Sequence, residues 1–384
     1  MTPAEPVAPG ATLGVLGGGQ LGRMFVHAAQ RLGYRCLVLD PDPDSPAGRV
    51  AERHLQADYL DPAALDELAR ASAAVTTEFE NVPALALSRL AEHVRVAPGA
   101  DAVAVCQDRA LEKALFQRCG VPCAPHAVIA SEAALATVPE GLLPGILKTT
   151  QLGYDGKGQR SVRNRDELAT AWRQLGAVRC VLERRLDLAC EISVVLARGA
   201  DGHVVSHPPF RNVHRDGVLA LTHWPAPDIA PALAAQADAA ARALAHTLGY
   251  VGVLCVEFFV LRDGTLHANE LAPRPHNSGH CTIDASDGSQ FDWQVRTMAG
   301  LPLPLARPHS AAVMLNLLGD LWRAGAAPDW RGVLALPGAH LHLYGKREAR
   351  PGRKMGHLTL IAATLGEADA LARSAAQHLG LPGW

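Results

Sequence analysis

The alternation of apolar and polar positions over residues 12–40, TLGVLGGGQLGRMFVHAAQRLGYRCLVLD, predicts a strand, a helix and a second strand. Leu13–Leu16 is a short apolar run, and the apolar positions then repeat at helical spacing as far as Leu32. Gly33 ends that helix and Cys36–Leu39 forms the next run, a βαβ unit of the kind that builds a parallel sheet. The same patterning continues to about residue 105. Within it Ala73–Val82 (AAVTTEFENV) turns from apolar to acidic at a strand end, where open α/β sheets place their ligands. A helix is predicted over about 107–119, then a β-rich stretch over about 125–220 with a hairpin turn at Asp201–Gly202. A long alanine-rich helix over about 229–248 leads to two strands, Val251–Leu261 and Thr265–Leu271, joined by Asp263–Gly264. LPLPLARP, from Leu301, reads as a linker, and the chain closes with strands and an amphipathic helix over about 367–379. This order divides the chain into residues 1–106, residues 107–300 with a subdomain at about 122–187, and residues 301–384.

Composition narrows the function classes. The 384 residues are 48% hydrophobic and 19% charged, which is globular and not disordered. With 36 Lys+Arg against 38 Asp+Glu, the chain lacks the basic excess of a nucleic-acid binder. Val251–Leu261, the longest apolar run, is too short for a bilayer and contains Glu257. MTPAEPVAPG has neither the basic nor the apolar region of a secretory signal, so a cytoplasmic setting is expected. Eight cysteines without a C-x-x-C pair read as small buried hydrophobes, not disulfides or zinc ligands. Only five basic residues are lysines: Lys113, Lys148, Lys157, Lys346 and Lys354. Codon bias would leave such a remnant; so would a need for compact ammonium groups at particular sites.

The candidate chemistry begins at Gly17, Gly19 and Gly22, which match G-x-G-x-x-G, with Asp40 where a ribose-binding acid would stand. Alone this indicates a dinucleotide site, though a helix N-terminus facing any phosphate needs the same glycines. Arg109 and Lys113, four apart on the 107–119 helix with no acid spaced to pair them, turn one cationic face toward an anion or toward solvent. A two-residue turn at Asp263–Gly264 sets Glu257 directly opposite Glu270, with Cβ atoms about 5 Å apart. Two such carboxylates on buried strands need a cation between them, and Mg²⁺ held with substrate phosphates is the expected one. Asn269 would face the other side unless the strand twists. The loop KTTQLGYDGKGQ (148–159) is glycine-rich but precedes a strand, so it resembles a flap closing on phosphates and not a Walker A loop. Glu183 and Glu191 stand where a strand and linker could read an adenine edge and ribose hydroxyls. Arg274, His276, Asn277, Ser278 and His280 form a polar run after Glu270, and Lys346, Arg350, Arg353 and Lys354 cluster in a loop suited to a phosphate or carboxylate.

GYDGKGQ and the paired acids resemble the ATP-grasp superfamily. GGGQLGRM (17–24), TTEFENVP (76–83), LGYDGKGQ (152–159), NVHRDG (212–217), NELAPRPHNSGH (269–280) and RPGRKMGH (350–357) are similar to the N5-carboxyaminoimidazole ribonucleotide synthase family, from about residue 13 to 357. Two departures are the residues before Gly153, where Arg and a further Gly are common, and an extra tail at 1–11. The resemblance implies an ATP-grasp fold, α/β and α+β, with a Rossmann-like N-terminal domain and a small β-rich C-terminal domain. It implies ATP-dependent carboxylation of 5-aminoimidazole ribonucleotide by bicarbonate through carboxyphosphate, in purine biosynthesis, by a homodimer. Glu257 and Glu270 would hold Mg²⁺, with Mn²⁺ as an alternative. Arg109, Lys148, His214, Asn269, Glu270 and the flap residues Gly153, Tyr154, Asp155, Gly156, Lys157, Gly158 and Gln159 would contact ATP, with Glu183, Arg184, Arg185, Leu186 and Glu191 around adenine and ribose. Tyr154, Arg274, His276, Asn277 and Lys346 would surround bicarbonate and carboxyphosphate. Gly19, Gln20, Leu21, Glu78, Glu80, Asn81, Arg274 and Ser278 would meet the ribonucleotide, and Arg353 with Lys346 its 5′-phosphate. A formate-dependent glycinamide ribonucleotide formyltransferase shares the fold but carries Glu where Gln20 stands here. A Rossmann oxidoreductase would use Gly17–Gly22 and Asp40 but needs neither flap nor acid pair, and a nucleotide sensor would bind ATP without turnover.

Overall fold

The structure is a computed structural model that describes residues 5–151, 153, 158–322 and 327–384. Tyr154, Asp155, Gly156 and Lys157, expected in the flap, lie outside the described residues.

The first sheet is parallel, with order β3-β2-β1-β4-β5: β1 Thr12–Leu16, β2 Arg35–Leu39, β3 Arg53–Leu55, β4 Ala74–Thr77 and β5 Arg95–Val96. Its central strands are apolar on both faces because helices cover both. Leu13, Val15, Cys36, Val38 and Ala74 pack with the helix Gln20–Arg31 and with Phe291, Val295 and Met298 of the helix Gln290–Ala299. Leu16, Leu37, Leu39 and Val75, one residue out of phase, pack with the helices Pro62–Ala71 and Ala84–Ala91. Period-two alternation thus sorts one apolar run into two cores.

The second sheet is antiparallel, order β6-β9-β7-β8, from β6 His126–Ile129, β7 Gly145–Thr149, β8 Gln159–Val162 and β9 Cys180–Arg184. The third has nine strands: β10 Leu188–Arg198, β11 Val204–Ser206, β12 Phe210–Arg215, β13 Val218–Trp224, β14 Gly252–Leu261, β15 Leu266–Ala272, β16 Ala311–Leu318, β17 Ala339–Leu343 and β18 Lys354–Ala362. Its order is β15-β14-β10-β12-β13-β16-β18-β17, with β11 on β10. Strands from either side of position 300 therefore share one sheet, through the β13–β16 pairing of Leu221 with Leu315. His342 Nε2 bonds Asp284 Oδ2 at 2.8 Å across the same seam. Asp284, His342 and His357 bring potential ligand atoms within 4.8 Å of one another. The rings of His342 and His357 stack at 4.4 Å and 15°, however, so their in-plane lone pairs run side by side and do not converge on one ion.

All eight cysteines are free, as small buried or half-buried groups. Among the described residues no helix is long and apolar enough to cross a membrane.

Candidate active site

One face of the nine-stranded sheet carries a polar row through otherwise apolar strands. Glu270 on β15 faces Glu257 on β14, Glu257 faces Ser193 on β10, and Glu191, two residues along β10, faces Asn212 on β12. Asn212 in turn faces Thr222 on β13, so the row crosses five strands. The other face of the same strands is hydrocarbon: Ile192, Val194, Leu254, Val256 and Phe258 pack on the helix Pro231–Thr247.

The acid pair forms as expected, but not by the expected turn. Leu261 N bonds Thr265 O at 2.9 Å and Gly264 has φ 83°, so the loop has three residues, with glycine at the left-handed position. Carried on unbroken, that register would set Glu257 opposite Asn269. A β-bulge between the Glu257–Glu270 and Phe258–Ala268 pairs leaves Asn269 as the extra residue and returns Glu270 to Glu257. The bulge is held from the helix Arg109–Arg118, one contact for each of its three residues. Lys113 Nζ donates to Asn269 O at 3.1 Å, Arg109 Nη1 donates to Glu270 Oε2 at 3.0 Å, and Glu112 Oε1 accepts from Leu271 N at 2.5 Å. Lys113 is therefore turned wholly to protein groups, whereas Arg109 bonds Glu270 and still lines the cavity. Glu112 was not legible as a site residue; burial pushes its carboxyl up to about 8.

Lys113 also lies 3.0 Å from Glu183 Oε1, while Lys148 Nζ donates to Glu183 Oε2 at 2.8 Å. All three side chains are buried. Burial alone would raise Glu183, but Lys148 and Lys113 outweigh it and hold the carboxyl down at about 2. That stabilisation is complete above the ordinary value of 4.5 and is lost as pH falls toward 2. Lys113→Met is expected to destabilise by about 3 kcal/mol, at the lower end of a broken buried pair because Lys148 still holds Glu183. It should also flatten the acid limb of the stability profile. Urea unfolding at pH 7 and pH 4 checks both, and a loss under about 1 kcal/mol with the acid limb unchanged would contradict it.

Burial raises Glu257 to about 7, and the charge of Glu270 adds to this. Burial acts the same way on Glu270, yet Arg109 and Lys148 hold it below its ordinary value. The pair thus ionises unevenly, as like charges facing one another must. Asn269 Oδ1 is buried without a hydrogen-bond partner. The facing carboxylates are the hard oxygen donors a divalent cation takes, and Glu191, His214 and Glu257 also bring potential ligand atoms within 4.8 Å of one another. His214 Nδ1 lies 3.0 Å from Glu191 Oε2; burial opposes its charge, but Glu191 and Glu257 lift it to about 9.

The glycine turn is filled from within. Glu78 accepts from Gly19 N and Gly22 N, both at 3.0 Å, and Asp40 accepts from Gly18 N at 2.6 Å and from Tyr59 Oη at 2.7 Å. A Cβ at Gly17 would lie 2.5 Å from Glu78 Cγ. The helix N-terminus therefore binds a carboxylate of the protein where a dinucleotide fold binds pyrophosphate, and Asp40 is not offered to a ribose. This corrects the dinucleotide reading of Gly17–Gly22.

A cavity of about 810 Å³ joins these parts. One wall is Gln20, Leu21, Glu78, Glu80 and Asn81; the floor holds Arg109, Glu112, Glu257 and Glu270; Arg274, His276 and Asn277 stand between; Lys346, Arg350, Arg353 and Lys354 form a basic rim. Gly153 reaches it from the flap. Arg274 Nε pairs with Glu80, and although burial raises Glu80, Arg274 keeps it below its ordinary value. Gln107, also unforeseen, donates to Glu80 O and Val82 O at 2.6 Å and so fixes the acidic loop. Burial, then Arg274 and Lys354, push His276 well below its ordinary range, so its ring is neutral; its Nε2 lies 3.1 Å from Glu257 Oε1.

Several expected contacts stand back from this cavity. Gly19 has its N–H engaged by Glu78, and Ser278 is buried beneath His276. Lys148 and Glu183 pair behind the wall, Glu191 and His214 lie along the polar row, and Gly158 and Gln159 stand at the start of β8. Arg184 and Arg185 are exposed at the end of β9, with backbone N–H groups bonded to Pro125 O and Pro144 O, and Leu186 follows them.

Comparison with known proteins completes this picture. Residues 10–107 match the ribonucleotide synthetase preATP-grasp domain, 114–291 the ATP-grasp domain and 312–371 the phosphoribosylaminoimidazole carboxylase C-terminal domain. The N5-carboxyaminoimidazole ribonucleotide synthase of Brucella melitensis is 46% identical over 356 residues, 92% of this chain and 97% of that protein. The chain belongs to the N5-carboxyaminoimidazole ribonucleotide synthase family. The Bacillus subtilis member is 38% identical over 92% of each chain. A solved ADP complex of a family member superposes with TM-score 0.92 at 38% identity over 99% of both chains. The Aspergillus clavatus member, crystallised with ADP and 5-aminoimidazole ribonucleotide, has TM-score 0.88 at 33% identity, covering 96% of this chain and 98% of that one.

Proposed function

We propose that this chain carboxylates 5-aminoimidazole ribonucleotide with bicarbonate at the expense of ATP, giving N5-carboxyaminoimidazole ribonucleotide, ADP and phosphate in purine biosynthesis. The observation that carries the reading is one cavity with the Glu257–Glu270 pair on its floor and four cationic side chains on its rim. That combination of paired carboxylates and cationic side chains suits a metal-bound triphosphate and a ribonucleotide phosphate in one cavity. Gln20 in the wall, where the formate-dependent transferase carries Glu, favours the carboxylase over that rival.

Phosphoryl transfer asks for positioning and charge neutralisation more than for covalent help. Glu257 and Glu270 would hold Mg²⁺, with Asn269 a further oxygen donor to ATP or metal, and the ion would supply positive charge to the transferring phosphoryl group. Arg109, Lys148, His214 and the flap around Gly153 and Gly158 would place ATP, with Glu183 to Leu186 and Glu191 about adenine and ribose. The Glu183 carboxylate is itself spent on two lysines. A bicarbonate oxygen attacks the γ-phosphorus, the bond to ADP breaks, and carboxyphosphate forms. Arg274, His276, Asn277 and Lys346, with Tyr154 from the flap, would hold its oxygens. The exocyclic amine of the ribonucleotide then attacks the carboxyl carbon, the C–O bond to phosphate breaks, and phosphate leaves with the amine proton. Water must be kept out meanwhile, which is the use of a closing flap. Gln20, Leu21, Glu78, Glu80 and Asn81 would frame the aminoimidazole, and Arg353 with Lys346 the 5′-phosphate. In this division residues 1–106 hold the base, 107–300 the nucleotide and metal, and 301–384 the phosphate rim; by family analogy the enzyme works as a cytoplasmic homodimer.

The test is ADP release from Mg-ATP with the ribonucleotide, with and without bicarbonate. Release that needs both supports the reading; release only with formate and glycinamide ribonucleotide moves the function to the transferase.

A further inference from the structure

His276 presents Nε2 to Glu257 Oε1 at 3.1 Å and turns its other ring nitrogen into the protein. There Nδ1 lies 2.8 Å from the Ser278 hydroxyl and 3.4 Å from the Ser278 backbone N–H. The hydroxyl contacts continue inward along the polar row. Ser193 Oγ is 2.7 Å from Ser278 Oγ, Asn212 Nδ2 is 3.0 Å from Ser193 Oγ, and Thr222 Oγ1 is 3.1 Å from Asn212 Oδ1. All four residues are buried, and the mechanism above gives Ser193, Asn212 and Thr222 nothing to do.

Such a chain has a direction. Each hydroxyl owns one proton, so fixing the donor at either end fixes every link between. A backbone N–H can only donate, and the Ser278 N–H faces Nδ1, which makes Nδ1 an acceptor. With Nδ1 accepting, the one proton of the neutral ring sits on Nε2, which lies 3.1 Å from Glu257 Oε1. That fixes one sense for the chain: Ser278 donates to His276 Nδ1, Ser193 to Ser278, Asn212 to Ser193, and Thr222 to Asn212.

We infer that Thr222, Asn212, Ser193 and Ser278 are positioning residues, a one-way hydrogen-bond chain that locks His276 in the tautomer with its proton on Nε2. The chain rests on the proposed function only for its consequence. With Nε2–H aimed into the cavity the ring offers a donor to anionic oxygens; with a lone pair there it would repel them. In metal sites the partner of the far ring nitrogen sets the near one in the same way.

The experiment is a two-bond ¹H–¹⁵N correlation spectrum of the whole protein labelled with ¹⁵N-histidine, the His276 signals being those lost in His276→Gln. The expected wild-type pattern is protonated Nε2 with bare Nδ1. Ser193→Ala should raise the Nδ1-protonated share about five- to tenfold, the ratio one buried hydrogen bond is worth, and lower kcat by a similar factor with KM for ATP unchanged. Thr222→Val should shift the tautomer in the same direction, whereas Thr222→Ser, which keeps the hydroxyl, should restore the wild-type spectrum and rate. Protonated Nδ1 in the wild type, or Ser193→Ala and Thr222→Val spectra identical to wild type, would overturn the inference. A shifted tautomer with undiminished kcat would uphold the chain and count instead against His276 as a group that meets the reacting anions.

Discussion

Glu270→Gln is expected to lower ATP turnover on the order of a thousandfold, the scale of a lost electrostatic contact to a developing charge. The fold should survive. The amide keeps the volume of the carboxylate, and its oxygen still accepts from Arg109, whose Nη1 lies 3.0 Å from Glu270 Oε2. The change also removes the like charge facing Glu257, one of the causes that hold that carboxyl near 7, so Glu257 should ionise more readily in the variant. The proposed metal role of the pair predicts loss of activity with the sheet intact. Steady-state ADP release with circular dichroism on the same preparation checks this. Turnover within about tenfold of wild type, a loss too small for a metal ligand, would remove the metal site from Glu257 and Glu270.

Arg353→Ala is expected to raise KM for the ribonucleotide about 10- to 100-fold, the effect of one charge-assisted hydrogen bond to phosphate. KM for ATP should stay within about twofold, since Arg353 is assigned to the ribonucleotide phosphate and not to ATP. The loop itself should keep its course, because Arg353 contributes its backbone as well: its carbonyl accepts from Gly319 N at 2.8 Å, which alanine preserves. Its side chain donates to Glu348 O at 2.9 Å, a link the variant gives up at the exposed edge. A larger effect on ATP than on the ribonucleotide would place the phosphate elsewhere.

The parallel sheet and its helices were readable because apolar runs of period two and period 3.6 leave one solution each. The acid pair was readable for a less comfortable reason. A two-residue turn gives the observed pairing, yet the turn has three residues and the bulge at Asn269 makes up the difference. What imposes that bulge is Arg109, Glu112 and Lys113, more than a hundred and fifty positions away in sequence. Distance along the chain hides such a clamp. The glycine turn misled because a carboxylate and a pyrophosphate ask the same thing of a helix N-terminus, and nothing near Gly17 announces Glu78. The polar row could have been found. Ser193, Thr222 and Glu257 are each a polar interruption in a strand of largely apolar composition, and such interruptions in neighbouring strands of one sheet point to a line across it; Asn212, in the polar strand FRNVHR, gave no such signal.

The central claim is that bicarbonate attacks ATP to make carboxyphosphate in this cavity. The most direct measurement is turnover with ¹⁸O-labelled bicarbonate and the ribonucleotide, followed by mass analysis of the released phosphate. Attack by bicarbonate carries one labelled oxygen across the new P–O bond, and breaking the C–O bond leaves that oxygen in phosphate. Labelled phosphate should appear in step with ADP, and none when formate replaces bicarbonate. Unlabelled phosphate released alongside carboxylated product would mean that water, not bicarbonate, takes the phosphoryl group, and the mechanism would fall.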